Sequence, residues 1–260
     1  MFAPRVALAS LSGAADAAWA RAGADHAGAA FLGGIAVDDP TREAARALVA
    51  RDREEFLPPD PIGFVGSQLD ALADAPIRPG VNVRAASPDP VREVAAVCAA
   101  RDAIVEINAH CRQAEMCAAG CGEALLREPD RLRAFVAAAA DTGAPTSVKV
   151  RAEVTGVDLP AVARTVAAAG ADAIHVDAMD SEPVIRAVAD AAPSLFVIAN
   201  NEVRGPESVG EYLRYGADAV SIGRPSTDPA VRRRVRRAVD AWDGGRADDP
   251  TRAGPEVDAQ

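Results

Sequence analysis

Lysine is almost missing from this 260-residue chain: of its 28 Lys and Arg residues, all but Lys149 are Arg. Aromatic side chains are scarce as well, at 4%, so a core must come from Ala, Val, Leu and Ile, which the 49% hydrophobic content supplies amply. No apolar run approaches the roughly 18–20 residues needed to cross a bilayer. The first residues, Met1-Phe-Ala-Pro-Arg5, lead straight into a strand-like segment and lack the layout of a signal peptide. A membrane role is excluded on that reading, and a cytoplasmic location is expected. Four cysteines, Cys98, Cys111, Cys117 and Cys121, are too few in a chain this long for a disulfide framework. The spacing Cys111-x5-Cys117-x3-Cys121 matches neither zinc-finger nor ferredoxin patterns, so no metal site is expected. A net charge of −10 and a pI near 4.9 oppose broad attraction to nucleic acid. One basic run, Arg232-Arg-Arg234 with Arg236-Arg237, reads either as a contact for RNA phosphate or as the solvated face of a last helix.

What the sequence does contain is a repeated junction. Gly23-Ala-Asp25, Gly170-Ala-Asp172 and Gly216-Ala-Asp218 each follow an Ala-rich amphipathic segment and lead into an apolar run. The glycine predicts a left-handed helix end and the apolar run a buried strand. Eight strands are predicted, near 4–9, 27–32, 79–85, 103–108, 146–151, 172–177, 195–199 and 218–222. Helices are predicted between them, near 14–23, 41–50, 89–100, 130–140, 158–169, 181–191, 206–215 and 228–241. Such alternation forces a parallel sheet. Eight repeats in about 250 residues predict an α/β protein of the (β/α)8 TIM-barrel class. The barrel is expected over residues 1–242, with a polar, disordered tail over 243–260. The connection 51–78 is unusually long and reads as a functional insertion or lid.

Ligands of such barrels meet the carboxyl ends of the strands. There the sequence offers Ser10-Leu-Ser-Gly13 after strand one, Asn82 and Arg84 on strand three, and Glu106-Ile-Asn-Ala-His-Cys111 on strand four. Lys149 and Arg151 follow on strand five, His175 and Asp177 on six, Asn200-Asn-Glu202 on seven and Gly223-Arg224 after eight. Gly223-Arg224, just before a helix, stands at the expected phosphate position. Lys149 supplies a compact ammonium that arginine cannot copy, so a chemical role competes with chance survival in an Arg-biased composition. The Cys111 thiol can donate a proton as well as attack; the alternative is the usual fate of a free cysteine, a small buried hydrophobe. Cys98 falls on an apolar helix face and reads as core. His175 reads either as ligand-facing or as a satisfied core histidine, and His26 as structural.

In order and spacing these motifs resemble the tRNA-dihydrouridine synthases, FMN-binding TIM barrels related to dihydroorotate dehydrogenases. The family's Asn-x-Gly-Cys-Pro and Gly-x-x-Leu-Leu are matched by Asn108-Ala-His-Cys-Arg112 and Gly122-Glu-Ala-Leu-Leu126. Its Val-Lys-x-Arg is matched by Val148-Lys-Val-Arg151, its Asn-Gly-Asp by Asn200-Asn-Glu202, its Gly-Arg by Gly223-Arg224, and its Pro-Met-Ala-Gly by Ser10-Leu-Ser-Gly13. The resemblance implies an oxidoreductase of tRNA processing that reduces the C5–C6 bond of uracil, with FMN as cofactor and NAD(P)H as reductant. It implies Cys111 as proton donor and Lys149 as a residue touching flavin and substrate. It also implies a flavin cradle of Ser10, Leu11, Ser12, Gly13, Asn82, Asn108, Lys149, His175, Asn200, Asn201, Glu202, Gly223 and Arg224, with substrate contacts from Asn108, Arg151 and Asp177.

Some positions depart from the family pattern. His110 and Arg112 stand where the family has Gly and Pro. Asp177 stands at its histidine, with His175 two positions earlier. The helical domain that usually follows the barrel and grips tRNA is expected to be absent. Two further readings stay open: an FMN reductase or dehydrogenase of a free pyrimidine or another small ring, and a catalytically silent barrel that binds a phosphate-bearing ligand or partner.

Overall fold

A computed structural model describes residues 1–247. Its strands are β1 (Val6–Leu8), β2 (Ala29–Ala36), β3 (Arg78–Arg84), β4 (Ile104–Ala109), β5 (Thr146–Arg151), β6 (Ala173–Asp177), β7 (Phe196–Asn200) and β8 (Ala219–Ile222). All pair in parallel in chain order, and β8 returns to β1, so the sheet closes as the expected TIM barrel. Helices α1 (Ala17–Gly23), α2 (Asp39–Val49), α3 (Pro61–Asp70), α4 (Pro88–Ala99), α5 (Ala114–Ala118), α6 (Pro129–Ala140), α7 (Leu159–Ala168), α8 (Val184–Ala191), α9 (Pro206–Arg214) and α10 (Pro229–Ala247) connect the strands. Short 3-10 turns cover Gly122–Arg127 and Arg224–Thr227.

The strands alternate in chemistry because their two faces meet different neighbours. Val81 and Val83, Val105 and Ile107, and Val148 and Val150 all belong to the main apolar core. Each such side chain contributes about 1.5–3 kcal/mol when withdrawn from water. The residues between them point into the barrel and form three layers. The lowest is apolar: Ala7, Ala29, Phe31, Ile104, Ile198 and Ala219 form their own cluster. Above it lie buried polar groups, Asn82, Glu106, Ser147, His175 and Ser221. The top layer carries Arg84, Asn108, Lys149, Asp177 and Asn200 and opens on the mouth.

Four expectations are adjusted. Gly170 and Gly216 are left-handed, with φ of 101° and 96°, as the junction motif requires. Gly23 is instead the last residue of α1, and its small size serves packing: an added Cβ would lie 2.3 Å from Leu8 Cδ1. Strand β2 runs on to Ala36 rather than stopping at 32, because Gly33-Gly34 is absorbed as a register irregularity against β3. The connection 51–78 contains α3, which packs beside α4. Helix α10 continues to Ala247, five residues into the stretch expected to be disordered, and residues 248–260 of that stretch lie outside the described residues. Among the described residues no helix is long and apolar enough to cross a membrane.

Candidate active site at the barrel mouth

The mouth encloses a cavity of about 1000 Å³. Its lining includes seven cationic side chains (Arg53, Arg84, Arg112, Lys149, Arg151, Arg204 and Arg224) against five carboxylates (Asp52, Glu54, Glu55, Asp177 and Glu202). In a chain of net charge −10 this is a local reversal of sign. Lys149 is 4% exposed and makes no hydrogen bond to another described residue. Burial holds its ammonium below the usual lysine range, helped by Arg84 and opposed by Glu106 and Asp177. A nearly dry, unpaired ammonium facing a cavity is a ready partner for a carbonyl or anionic oxygen.

Cys111 follows β4 and is 8% exposed on the cavity wall. Its loop is held by Asn108, whose Oδ1 accepts the backbone N–H groups of Cys111 at 2.9 Å and His110 at 3.2 Å. Asn108 Nδ2 donates to Asn82 Oδ1 at 2.8 Å, and Asn82 Nδ2 donates to Glu106 Oε1 at 2.7 Å. His110 reaches from β4 to β6, with Nε2 2.6 Å from Asp177 Oδ2. Desolvation holds the His110 ring below its ordinary range and Lys149 adds to this, against the Asp177 carboxylate. Burial works to raise Asp177, but His110, the Met179 N–H and Lys149 outweigh it and keep that carboxyl low. Arg151 is steadied by Glu123, at 3.2 Å.

The middle layer is a closed hydrogen-bonded floor. His175 Nδ1 lies 2.7 Å from Glu106 Oε2, and its Nε2 lies 2.7 Å from Ser221 Oγ. Ser147 Oγ donates to Glu106, and Asn200 Nδ2 donates to Ser221 Oγ at 2.8 Å. Serine, histidine and glutamate in line would activate a nucleophile at an open site. Here all three are fully buried, so the arrangement satisfies polar groups rather than meeting substrate.

On the opposite rim, four charged residues from the 51–78 connection, Asp52, Arg53, Glu54 and Glu55, lie against the cavity. Glu55 Oε2 meets Arg84 Nη1 at 2.6 Å, with side chains 3% and 6% exposed, and Arg84 Nη2 also donates to Ser12 Oγ. Burial raises the Glu55 carboxyl above its usual value although Arg84 opposes it. Gly13, at φ 72°, lets this strap approach, because an added Cβ would lie 2.5 Å from Glu54 Cβ.

The model of the dihydrouridine synthase family matches residues 74–243, more than half of the chain. The chain belongs to the dihydrouridine synthase family. Two relatives called tRNA-dihydrouridine synthase B are similar over part of their length. That of Xanthomonas campestris pv. campestris is 31% identical over 138 residues, and that of Xanthomonas axonopodis pv. citri is 32% identical over 136. Each match covers 46% of this chain and 40% of the relative. An uncharacterised protein of Methanocaldococcus jannaschii is 26% identical over 231 residues, 85% of this chain and 88% of that protein. A crystal structure of a tryptophan synthase complex from Pyrococcus furiosus superposes with a TM-score of 0.57 at 14% identity, over 94% of this chain and 100% of that one. That likeness is one of fold alone.

The family match takes in β3 to β8 and so every mouth residue from Arg84 onward, but not the strap or Ser10–Gly13. The structure brings Ser10, Leu11, Ser12, Asn108, Cys111, Lys149, Arg151, Asp177, Asn200, Asn201, Glu202, Gly223 and Arg224 to one cavity. Three of the expected cradle residues are not in its lining. Asn82 and His175 are 0% exposed in the floor, and Gly13 is covered by Glu54. His175 is therefore the satisfied core histidine of the two alternatives. The basic run is mostly engaged as well: Arg232 is buried on the Ser226 and Ala22 carbonyls, Arg234 bonds the Arg204 carbonyl, and Arg236 pairs with Asp240. Sequence reasoning missed the Glu55–Arg84 pair and the His110–Asp177 bridge. The only sequence signal for the first was a run of five charges, 51–55, inside an overlong connection; the second joins residues 67 apart and had none. Among the described residues no group of three His, Cys, Asp or Glu side chains is arranged to hold a metal ion.

Proposed function

We propose that this chain is a flavin-dependent oxidoreductase that reduces the C5–C6 bond of a uracil ring in tRNA. The observation that carries the reading is that Cys111, Lys149 and Gly223-Arg224, from three different strand ends, share one cavity. At about 1000 Å³ it lies at the upper end of ordinary ligand sites, which run to roughly 1,000 Å³, and has room for a mononucleotide cofactor and a planar ring beside it. The residues present fit FMN: cations outnumber carboxylates in the lining, and among the described residues Arg224 is exposed without an ion pair and Lys149 has no hydrogen-bond partner. Ser10–Ser12, Asn200–Glu202 and Gly223-Arg224 would hold its ribityl and phosphate groups. FMN, when bound, supplies the hydride for C6 and is recharged by NAD(P)H.

The chain's own groups do the rest. The Cys111 thiol holds the proton destined for C5. Lys149 presents positive charge to the carbonyl oxygen on which negative charge develops. Asn108, both ends of its amide engaged, fixes the Cys111 loop. The His110–Asp177 bridge closes the β4–β6 side of the mouth, and Arg151 remains available to substrate. A tRNA substrate would put the protein in the cytoplasm.

A second reading, reduction of a free pyrimidine, draws support from the engaged state of the basic run and the net charge of −10. One experiment separates the two. Purified protein loaded with FMN is incubated with NAD(P)H and either an unmodified tRNA transcript or free uracil, and products are read by nucleoside mass spectrometry. Dihydrouridine in the transcript supports the proposal. Turnover of the free base alone moves the second reading ahead, and failure to take up FMN overturns both.

A further inference from the structure

The three cysteines after β4 are not chemically equivalent. Cys121 is fully buried, its Sγ donating to the Met116 carbonyl at 3.3 Å, and burial pushes its thiol up to about 12. Cys98, buried in α4, is likewise pushed up to about 12. Cys111 and Cys117 differ from both: Cys111 stands on the cavity wall, and Cys117, in α5, is half-buried. The two are also joined. Cys117 Sγ donates to the main-chain carbonyl of Cys111 at 3.5 Å, so its sulfur already sits against the residue whose thiol faces the cavity. Only five residues, Arg112 to Met116, separate the two, and the last three of them belong to the short helix α5 that carries Cys117.

We infer that Cys111 and Cys117 form a reversible disulfide on exposure to hydrogen peroxide, with Cys111 the thiol oxidised first and Cys117 the resolving thiol. The Cys111 thiolate attacks one peroxide oxygen, the O–O bond breaks and water leaves, giving the sulfenic acid. The Cys117 thiolate then attacks that sulfur: the S–S bond forms, the S–O bond breaks, and hydroxide leaves and takes up a proton as water. Two thiols and one peroxide become one disulfide and two waters. Burial and the Glu123 carboxylate raise the Cys117 thiol and make it the poorer first target, while its place against the Cys111 main chain makes its attack on the Cys111 sulfur an intramolecular step. The disulfide ties up the cavity thiol until a dithiol reductant restores it. This inference needs neither flavin nor RNA and stands apart from the proposed function.

Trypsin offers a direct readout, because Arg112 separates the two residues. Cleavage yields Asp102–Arg112, carrying Cys111, and Gln113–Arg127, carrying Cys117 and Cys121. Reduced full-length protein is treated with a small molar excess of hydrogen peroxide, quenched, alkylated and digested. The expected result is loss of two of the four free thiols and a linked peptide pair two hydrogens lighter than the sum of its parts. Dithiothreitol should reverse both. Cys121→Ser must keep the linkage, so the assay does not depend on a Cys117 variant folding. Cys117→Ser should lose it and leave Cys111 as a sulfenic acid that dimedone traps. The inference is overturned if all four thiols survive, if the linkage persists in Cys117→Ser, or if the link joins two copies of the chain on a non-reducing gel.

Discussion

Glu106 on β4 and His175 on β6 lie 2.7 Å apart, oxygen to nitrogen, both wholly buried beneath the barrel mouth. Burial opposes ionisation of Glu106, but His175, Lys149 and the Asn82 amide hold its carboxyl below the usual range. Burial also holds the His175 ring below its ordinary value of 6.5, so the folded chain keeps it neutral. The unfolded chain takes up that proton near 6.5 and the folded chain does not. Stability is therefore full above that value and falls as pH drops below it. Denaturant midpoints measured from about pH 7.5 to about 5.5 should decline, and His175→Asn should flatten the decline more than His110→Asn does. A wild-type midpoint that stays level across this range would mean the folded floor already carries a protonated His175.

Lys149→Arg should weaken flavin binding by about tenfold or more, about 1.4 kcal/mol, because a planar fork replaces a point charge in a nearly closed site. The pH profile is the sharper readout. Burial depresses the Lys149 ammonium, so binding that needs its charge should fade as pH rises, well before the usual lysine value of 10.5. The guanidinium stays charged, so the variant should lose that alkaline limb. Equal affinity and an identical profile, by fluorescence quenching of FMN, would remove Lys149 from the site.

Cys111→Ala should leave reduction of bound flavin by NAD(P)H unchanged and slow oxidation of reduced flavin by substrate about 10²–10⁴-fold, the usual contribution of a positioned proton donor. Cys98→Ala, a change inside α4, should cost only stability, about 1–3 kcal/mol. Stopped-flow traces of the two half-reactions make the comparison. Equal slowing of both halves in the Cys111 variant would assign that thiol a structural role.

Gly23→Ala should destabilise the barrel by about 1–3 kcal/mol, since the new methyl would meet Leu8 Cδ1 and force repacking where α1 crosses β1. Thermal or urea unfolding reads this directly. A neutral result would show that Leu8 can change rotamer without loss.

The sequence alone determined the architecture. Alternating apolar strands and amphipathic helices leave few alternatives to a closed parallel barrel, and the order of strands requires polar strand ends to converge at one mouth. It also determined most of the cavity wall, because residues after a strand's carboxyl end face that mouth whatever their neighbours do. Depth within the barrel was decided only by the tertiary structure. Asn82 and His175 share the strand pattern of Asn108 and Asp177, yet one inward step lower places them in a sealed floor. Barrel stagger sets that step, and no local pattern records it. The strap that brings Glu55 to Arg84, the bridge from His110 to Asp177, and the approach of Cys117 to Cys111 likewise belong to the fold. The first two depend on which segments the barrel brings together at its mouth, and the third on how the segment after β4 folds back on itself.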